Sequence, residues 1–381
     1  MLPSLEVGGA ETVATRLIGA SDRTSFAHAV LALLPVGEFE RDLRAMNVEV
    51  AAVRPDAGGF AMVRDTQRQL RALRPDVVHC WMYHANLVGG LASLASGRPP
   101  LVWSIRQTNL DLASIRLRTR RIARAGAWLS RVLPDRILYN AETSRRVHEA
   151  FGYRRAATDQ VIPNGFDTGS FAPDPVARAA VRAELGIDPG AMVVGLVARF
   201  DPQKDHRTFV AAAGAIHAAR PDIWFVLCGR GIDAGNATLL EWIEGAGIAG
   251  RTRLLGQRPD IARLNAAFDI ACLSSMGEGF PNSVGEAMAC GIPCAVTEVG
   301  AAAELVGDTG RAVPAMNPPA LADAVLQLAS LDPEARAALG AHARARVVEH
   351  FGLQAMVDSY QKLWRELAAG RRRAAITGRG T

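Results

Sequence analysis

Two cations and two carboxylates are spaced to do chemistry in this sequence. Arg199 and Lys204 fall in GLVARFDPQKDHRTFVAAA (195–213), where an apolar strand runs out and a helix begins near Asp205. Two positive charges at one strand-to-helix turn suit a diphosphate, and they can neutralise charge that builds up as such a group departs. Only two of the 43 basic residues are lysines, Lys204 and Lys362. Against that arginine bias, a lysine at the turn answers a need for a compact point charge. The plainer alternative is a surface turn with two solvated charges.

Glu278 and Glu286 stand eight apart in SSMGEGFPNSVGEAMACGIPCAVTEVG (274–300). An apolar strand ends at Ser275, a glycine-rich turn follows, and Asn282 or Ser283 is placed to cap a helix that stops at Gly291. One carboxylate precedes the helix and the other lies in its first turns, so they reach different parts of one ligand. The backbone N–H groups of 280–284 form an anion site at the positive end of the helix. For Glu286 alone the alternative is a capping-box carboxylate. A third stretch, SLEVGGAE (4–11), sets Gly8 and Gly9 before a helix-like run. Without side chains, these two residues let a ligand approach the backbone closely.

Such turns need strands to carry them. Strand-like runs alternate with helical ones: 76–81, 100–105, 136–141 and 159–164 in the first half, then 192–199, 223–229, 252–256, 269–275 and 293–299. The alternation predicts α/β domains with parallel sheets. The stretch 164–177 has the Gly, Pro, Asp and Asn content of a connection. After 320 the strands stop and helices follow near 333–350 and 352–368. The expected organisation is a first domain over 1–165, a linker region over 166–190, a second domain over 191–350, a C-terminal helix over 351–370, and a basic, disordered tail over 371–381. Ligands of open parallel sheets bind at the carboxyl ends of strands, so a cleft between two such domains is the expected site.

Composition narrows the class. Hydrophobic residues make up 49% and aromatic ones 6%, so the cores are aliphatic. No apolar run reaches the length of a membrane span and no signal-peptide layout opens the chain, which predicts a cytoplasmic protein, with the inner face of the cell membrane as its extreme. The five cysteines are too isolated from other ligand types to suggest zinc and read as buried thiols. The net charge of +5 resides in the first 190 residues, with 24 basic against 19 acidic, while the remainder balances at 19 and 19. Six arginines and no acid fall in 115–133. That segment predicts a basic, partly amphipathic helix able to touch an anionic membrane surface, or simply a solvated helix. It lacks the interleaved aromatics that nucleic acid would require, and no nucleic-acid partner is expected.

EGFPNSVGE resembles the Glu-x7-Glu signature of the retaining glycosyltransferases of family 4, which have the GT-B fold: two Rossmann-like doubly wound domains facing across a cleft, with C-terminal helices packing back toward the N-terminal domain. The resemblance implies that Glu278 contacts sugar hydroxyls of a nucleotide-sugar donor and Glu286 its ribose. The backbone around Gly279, Phe280, Pro281, Asn282 and Ser283 would hold sugar and diphosphate. Arg199 and Lys204 match the family's Arg-x4-Lys element, whose members contact the diphosphate. Gly8 and Gly9 match its N-terminal glycine loop, which implies that they approach the donor phosphate and the acceptor. Within LGQRPDI, Arg258 and Ile261 lie where relatives meet the nucleotide base. NAETSRRVHEAFGY, VIPNGFD, LLGQRPDIARLNAAFDIACLSS and VGDTGRAVP follow in family order, so the likeness spans roughly 4–350.

The function implied is hexosyl transfer from a UDP- or GDP-sugar to a glycan or lipid-linked acceptor, in cell-surface or exopolysaccharide assembly. The donor is the substrate and no cofactor is implied. No Asp-x-Asp pair occurs in the sequence, which fits a metal-independent site where Arg199, Lys204 and a helix N-terminus supply the positive charge. Two departures stand out. The family has an apolar strand before its glycine loop, whereas only Met1, Leu2 and Pro3 precede Ser4. The expectation is that the first strand is missing and that the native chain begins upstream. Arg106 stands where many relatives carry a histidine at the end of PLVWSIR, and arginine cannot serve as a base at neutral pH. His84, ending another strand of the same domain, is the other acceptor-side candidate, with helix packing as its alternative. The rival readings are a nucleotide-sugar epimerase of the same fold and a non-catalytic nucleotide-sugar-binding homologue.

Overall fold

The computed structural model describes residues 1–6, 8–34, 37–53, 58–108, 110 and 117–377, the last six without their side chains. In chain order the elements are α1 (Gly9–Ala20), β1 (Ala29–Ala32), α2 (Phe39–Ala45), β2 (Glu49–Ala52), α3 (Gly58–Leu73), β3 (Val78–Trp81), α4 (Met82–Leu94), β4 (Leu101–Ile105), α5 (Leu117–Leu129), β5 (Arg136–Tyr139), α6 (Glu142–Phe151), β6 (Gln160–Val161), α7 (Pro175–Glu184), β7 (Val193–Val197), α8 (His206–Ala219), β8 (Trp224–Cys228), α9 (Ala237–Gly245), β9 (Thr252–Leu254), α10 (Ile261–Ala266), β10 (Ile270–Leu273), α11 (Asn282–Ala289), β11 (Cys294–Thr297), α12 (Ala302–Val306), β12 (Arg311–Val313), α13 (Pro318–Ser330), α14 (Pro333–His350) and α15 (Leu353–Thr377). They form two compact units. One comprises Met1–Gly165 with Leu353–Thr381, the other Phe166–Gly352.

The second unit is a six-stranded parallel sheet in the order β12-β11-β10-β7-β8-β9. Numbered from β7, this is the doubly wound order 3-2-1-4-5-6, whose switch point falls between its first and fourth strands. Those strands are β7 and β10, paired through Val194↔Ile270 and Gly195↔Ala271. The β8 strand WFVLC and the β10 strand IACL are buried throughout, as central parallel strands covered on both faces must be. Gly195 is required in β7, because a Cβ there would lie 2.2 Å from the Phe268 ring. The stretch expected as a linker contains α7, which belongs to this unit. The fully buried Arg182 of α7 donates to the Ala267, Pro189 and Ala191 carbonyls and pairs with Asp269 at 2.7 Å.

The first unit carries a β1-β2 pair and a β3-β4-β5-β6 sheet, both parallel. Between them stand Met1 and Leu2. Leu2 N–H donates to Leu31 O at 2.9 Å and Leu2 O accepts from Leu33 N–H, while Met1 O accepts from Trp81 N–H and the Met1 ammonium donates to His79 O at 2.6 Å. The expected missing strand is therefore represented by two residues, which bond to β1 on one side and β3 on the other. Burial lowers the pKa of the Met1 ammonium. A cavity of about 700 Å³ lies beside them, lined by Ala29, Val77, Val78, Leu17 and Trp364 among others. The short β1, β2 and β12 were not foreseen from sequence. The helix over 353–377 runs seven residues into the expected disordered tail, to Thr377. Its Met356, Val357, Tyr360, Leu363 and Leu367 join the first unit's core with Val13, Leu17 and Val30.

Candidate functional site

The strongest candidates follow the two strands that flank the second unit's switch point. Beyond β7, Asp201 caps a short 3-10 turn over Pro202–Lys204 by accepting from Gln203 N–H. Asp205 then takes a left-handed conformation (φ 45°) and caps α8 by accepting from Thr208 N–H. Two caps in five residues fix where Lys204 projects. Beyond β10, Glu278 sits in the loop leading to α11. The Lys204 ammonium donates to Glu278 Oε1 at 2.5 Å, although 74 residues separate them. Both side chains keep some solvent access, 19% and 11%. Arg199 lies near Asp201, Nε to Oδ2 3.3 Å.

Residues not singled out from sequence hold this pair. Ser275 Oγ donates to Glu278 Oε1 at 2.7 Å, and Ser274 Oγ donates to the Lys204 carbonyl at 2.9 Å. Thr297 Oγ1, at the end of β11, donates to Ser275 O at 2.7 Å. Gly300 has φ 58°, and a Cβ there would lie 2.3 Å from the Glu278 carbonyl oxygen. That close approach lets Ala301 N–H bond Gly279 O at 3.1 Å. On the other flank, Gly229 passes so near Ala198 that a Cβ would meet its carbonyl oxygen at 2.1 Å. This brings Arg230 O onto Phe200 N–H, one residue past Arg199. The signals available were the paired serines at the strand end and a glycine before an alanine run, neither of which names a partner.

The α11 N-terminus differs from expectation. Asn282 is its first residue, Pro281 is the N-cap, and no side chain caps it. Ser283 is the second residue and Glu286 the fifth, two residues too far in for a capping box. Glu286 is buried within the helix. Phe280 is also buried, its ring 6.2 Å from Phe166 and 5.5 Å from Phe351. Its side chain therefore anchors the loop that leads into α11. The structure thus brings Lys204, Glu278 and the head of α11 together.

Arg258 lies in the segment between β9 and α10, near Cys228 at the end of β8. Arg258 pairs bidentately with Asp260 at 2.8 and 2.7 Å and with Glu184 at 2.5 Å, and these carboxylates raise its pKa. Its guanidinium is thus already engaged. Ile261 opens α10 and is partly buried. Cys228, nearby, is pushed up to about 11 by burial. All five cysteines are buried and free.

In the first unit, Gly8 is the N-cap of α1 and Gly9 its first residue, with no side-chain cap. The loop leads from the Met1–Leu2 pairing, as the second unit's α8 turn leads from β7. His84 is in the first turn of α4, directly after β3, where Met82 has the unusual φ of 70°. Burial, and then Arg118, lower the His84 pKa. Arg106 is buried. Its guanidinium stacks 4.3 Å over Trp81, donates to Tyr360 Oη at 3.0 Å, and bonds Asn164 Oδ1. Among the described residues no group of three or more His, Cys, Asp or Glu is placed to hold a metal ion, and no helix is long and apolar enough to cross a membrane.

Comparison with known proteins converges on one class. Residues 7–170 match the family model described as Glycosyltransferase Family 4, and residues 191–330 match that of Glycosyl transferases group 1. The lipopolysaccharide core biosynthesis mannosyltransferase LpsB of Rhizobium meliloti is 29% identical over 313 residues, covering 76% of this chain and 84% of that protein. An Escherichia coli UDP-Gal:alpha-D-GlcNAc-diphosphoundecaprenol alpha-1,3-galactosyltransferase is 27% identical, over 60% of this chain and 59% of that one. Among solved structures, Anabaena HepE in complex with UDP-glucose superposes with a TM-score of 0.83 at 23% identity, over 96% of this chain and 99% of that one. The sucrose-phosphate synthase of Thermosynechococcus elongatus gives 0.78 at 19% identity, over 97% and 96%. The likeness to these structures establishes a GT-B fold with Rossmann-like N- and C-terminal domains.

Proposed function

Since the chain belongs to the group 1 glycosyltransferases, we propose that it moves a hexosyl group from a UDP- or GDP-sugar to a glycan or lipid-linked acceptor, with retention of configuration, in cell-surface or exopolysaccharide assembly on the cytoplasmic side of the membrane. The observation that carries this reading is the Lys204–Glu278 contact at the head of α11. A cation for a diphosphate and a carboxylate for sugar hydroxyls stand together at the switch point of a doubly wound sheet, where such folds bind nucleotides.

In this reading the donor replaces the ion pair. The diphosphate takes Lys204, with Arg199 and the α11 N–H groups completing its neutralisation. Glu278, still oriented by Ser275, accepts from the sugar hydroxyls, and Glu286 accepts from the ribose. The bond from the anomeric carbon to the diphosphate breaks and the bond to the acceptor oxygen forms on the same face. The departing phosphate oxygen takes the acceptor's proton, so no carboxylate nucleophile is required. Charge grows on that oxygen, where Lys204 and Arg199 are most effective. This arrangement needs no metal to hold the diphosphate. Acceptor recognition falls to the first unit, through His84, and through Arg106 as the element that fixes the end of β4.

A thermal-shift panel of UDP-, GDP-, ADP- and dTDP-sugars tests this. A ligand that binds only the folded state raises Tm. One nucleotide class is expected to do so, with the shift lost in Lys204→Ala and Glu286→Ala. A shift retained in both variants would place the donor elsewhere. Donor binding without turnover on any acceptor would favour the binding-homologue reading, and sugar interconversion without acceptor would favour an epimerase.

A further inference from the structure

The helix α5 and the turn after it carry a face that the proposed reaction does not use. Positions 117, 121, 124 and 128 recur at intervals of four and three, so they share one side of the helix. The opposite side is seated by Ala123, Gly126 and Ala127, all buried. Gly126 lets the helix settle against Tyr153, since a Cβ there would lie 2.7 Å from its hydroxyl. The outward side carries Leu117 and Trp128, which are 56% and 71% exposed, and the following turn adds Val132 at 62%. Between and beside them Arg118, Arg121 and Arg131 are exposed. No acidic residue occurs from 112 to 134 to neutralise them.

An indole this exposed, flanked by arginines and aliphatic side chains, has a specific physical complement. Its amphipathic ring suits the headgroup level of a bilayer, while arginines suit phosphates just above it. A nucleic acid would match the charge but not Leu117 and Val132, which have no face on which bases stack. We propose that this face docks on an anionic bilayer, with Leu117, Trp128 and Val132 entering the headgroup–acyl boundary and Arg118, Arg121 and Arg131 meeting lipid phosphates. The inference does not rest on the sugar-transfer reading and stands or falls separately from it.

Sedimentation of the full chain with vesicles tests it. Phosphatidylcholine vesicles containing 30 mol % phosphatidylglycerol should carry the protein down at low salt, and pure phosphatidylcholine should not. Arg121→Gln with Arg131→Gln should weaken binding about 30-fold, from the contribution of each arginine near an anionic surface. Trp128→Ser should weaken it roughly tenfold by loss of buried apolar area. All three side chains are exposed, so Tm should not move. If Trp128→Ser nonetheless lowered Tm, the double arginine variant would decide. Equal binding to both vesicle types, or undiminished binding by both variants, would overturn the proposal. So would absence of vesicle binding alongside saturable binding of single-stranded RNA.

Discussion

Lys204 follows the carboxyl end of β7 in the second unit, and Arg106 follows that of β4 in the first. Each is a cation just beyond a parallel strand, where such sheets receive ligands. Lys204 pairs with Glu278 and keeps access to solvent. Arg106 is buried with a stacking partner in Trp81 and acceptors in Tyr360 and Asn164. A cation with one exchangeable carboxylate can pass to a phosphate. A cation with its partners on three sides joins elements of the fold, here β4, the chain near Asn164, and α15. Position in the topology nominates a residue, and its existing partners decide what it does.

The largest expected effect tests the exchangeable side of that comparison. Lys204→Ala should lower kcat/KM by about 30- to 1,000-fold, corresponding to about 2–4 kcal/mol of transition-state stabilisation, with Tm nearly unchanged. Steady-state kinetics beside a melting curve would show it. A large fall in Tm with intact turnover of the folded fraction would invert the roles assigned to the two cations.

Acid should weaken both units, because each contains a histidine whose pKa burial lowers. Burial pushes His148 of the first unit and His206 of the second down to about 4. His148 donates from Nδ1 to Ser144 O at 2.7 Å and accepts at Nε2 from Tyr83 Oη–H at 2.6 Å, which fixes the neutral tautomer. The unfolded histidines titrate near 6.5. Between those values the unfolded chain holds protons that the folded chain does not. Stability therefore rises with pH across the window, and falls as pH drops from about 6.5 toward about 4. Each histidine contributes up to about 1.4 kcal/mol per pH unit. Urea midpoints from pH 7 to 4.5 should trace this, and His148→Gln should make the slope shallower. An unchanged slope would mean that His148 is already protonated in the fold.

Arg106→Ala tests the locked side. Loss of its hydrogen bonds to Tyr360 and Asn164, together with the Trp81 stack, should cost about 2–3 kcal/mol of stability, read as a lower Tm. Donor-induced stabilisation should persist, since Lys204, Glu278 and Glu286, proposed to hold the donor, lie in the other unit. The smallest effect belongs to Ser275→Ala, which removes one hydrogen bond that orients Glu278. We expect about a tenfold fall in kcat/KM and partial rescue by Ser275→Thr, a restoration that a merely packing role would not give.

The comparison also marks what the sequence could and could not tell. Lys204, Glu278 and Glu286 were legible because strand-to-helix turns and the run EGFPNSVGE leave a dense local pattern. Their meeting was not, since nothing local links residues 74 apart. The partners of Arg106 were hidden for the same reason: Tyr360 lies 254 residues away. Nine strands were visible as apolar runs. The others, at three or four residues each, are shorter than the period needed to distinguish a strand from a helical turn, and EVAA carries a charge at its head. The helix cap went to Pro281 rather than Asn282 because the buried Phe280 fixes the chain's entry to α11.

The chain leaves the first unit at Gly165 and re-enters it at Leu353, with Phe166 N–H bonded to Phe351 O at 2.8 Å beside the point of return. The second unit is thus an insertion within the first, and this sets an order of events during synthesis. The second unit has its whole sequence once residue 352 clears the ribosome. The first unit, begun earlier, must wait for Tyr360, Leu363 and Leu367 to reach its core. The N-terminal half of this protein is therefore the last part to finish folding.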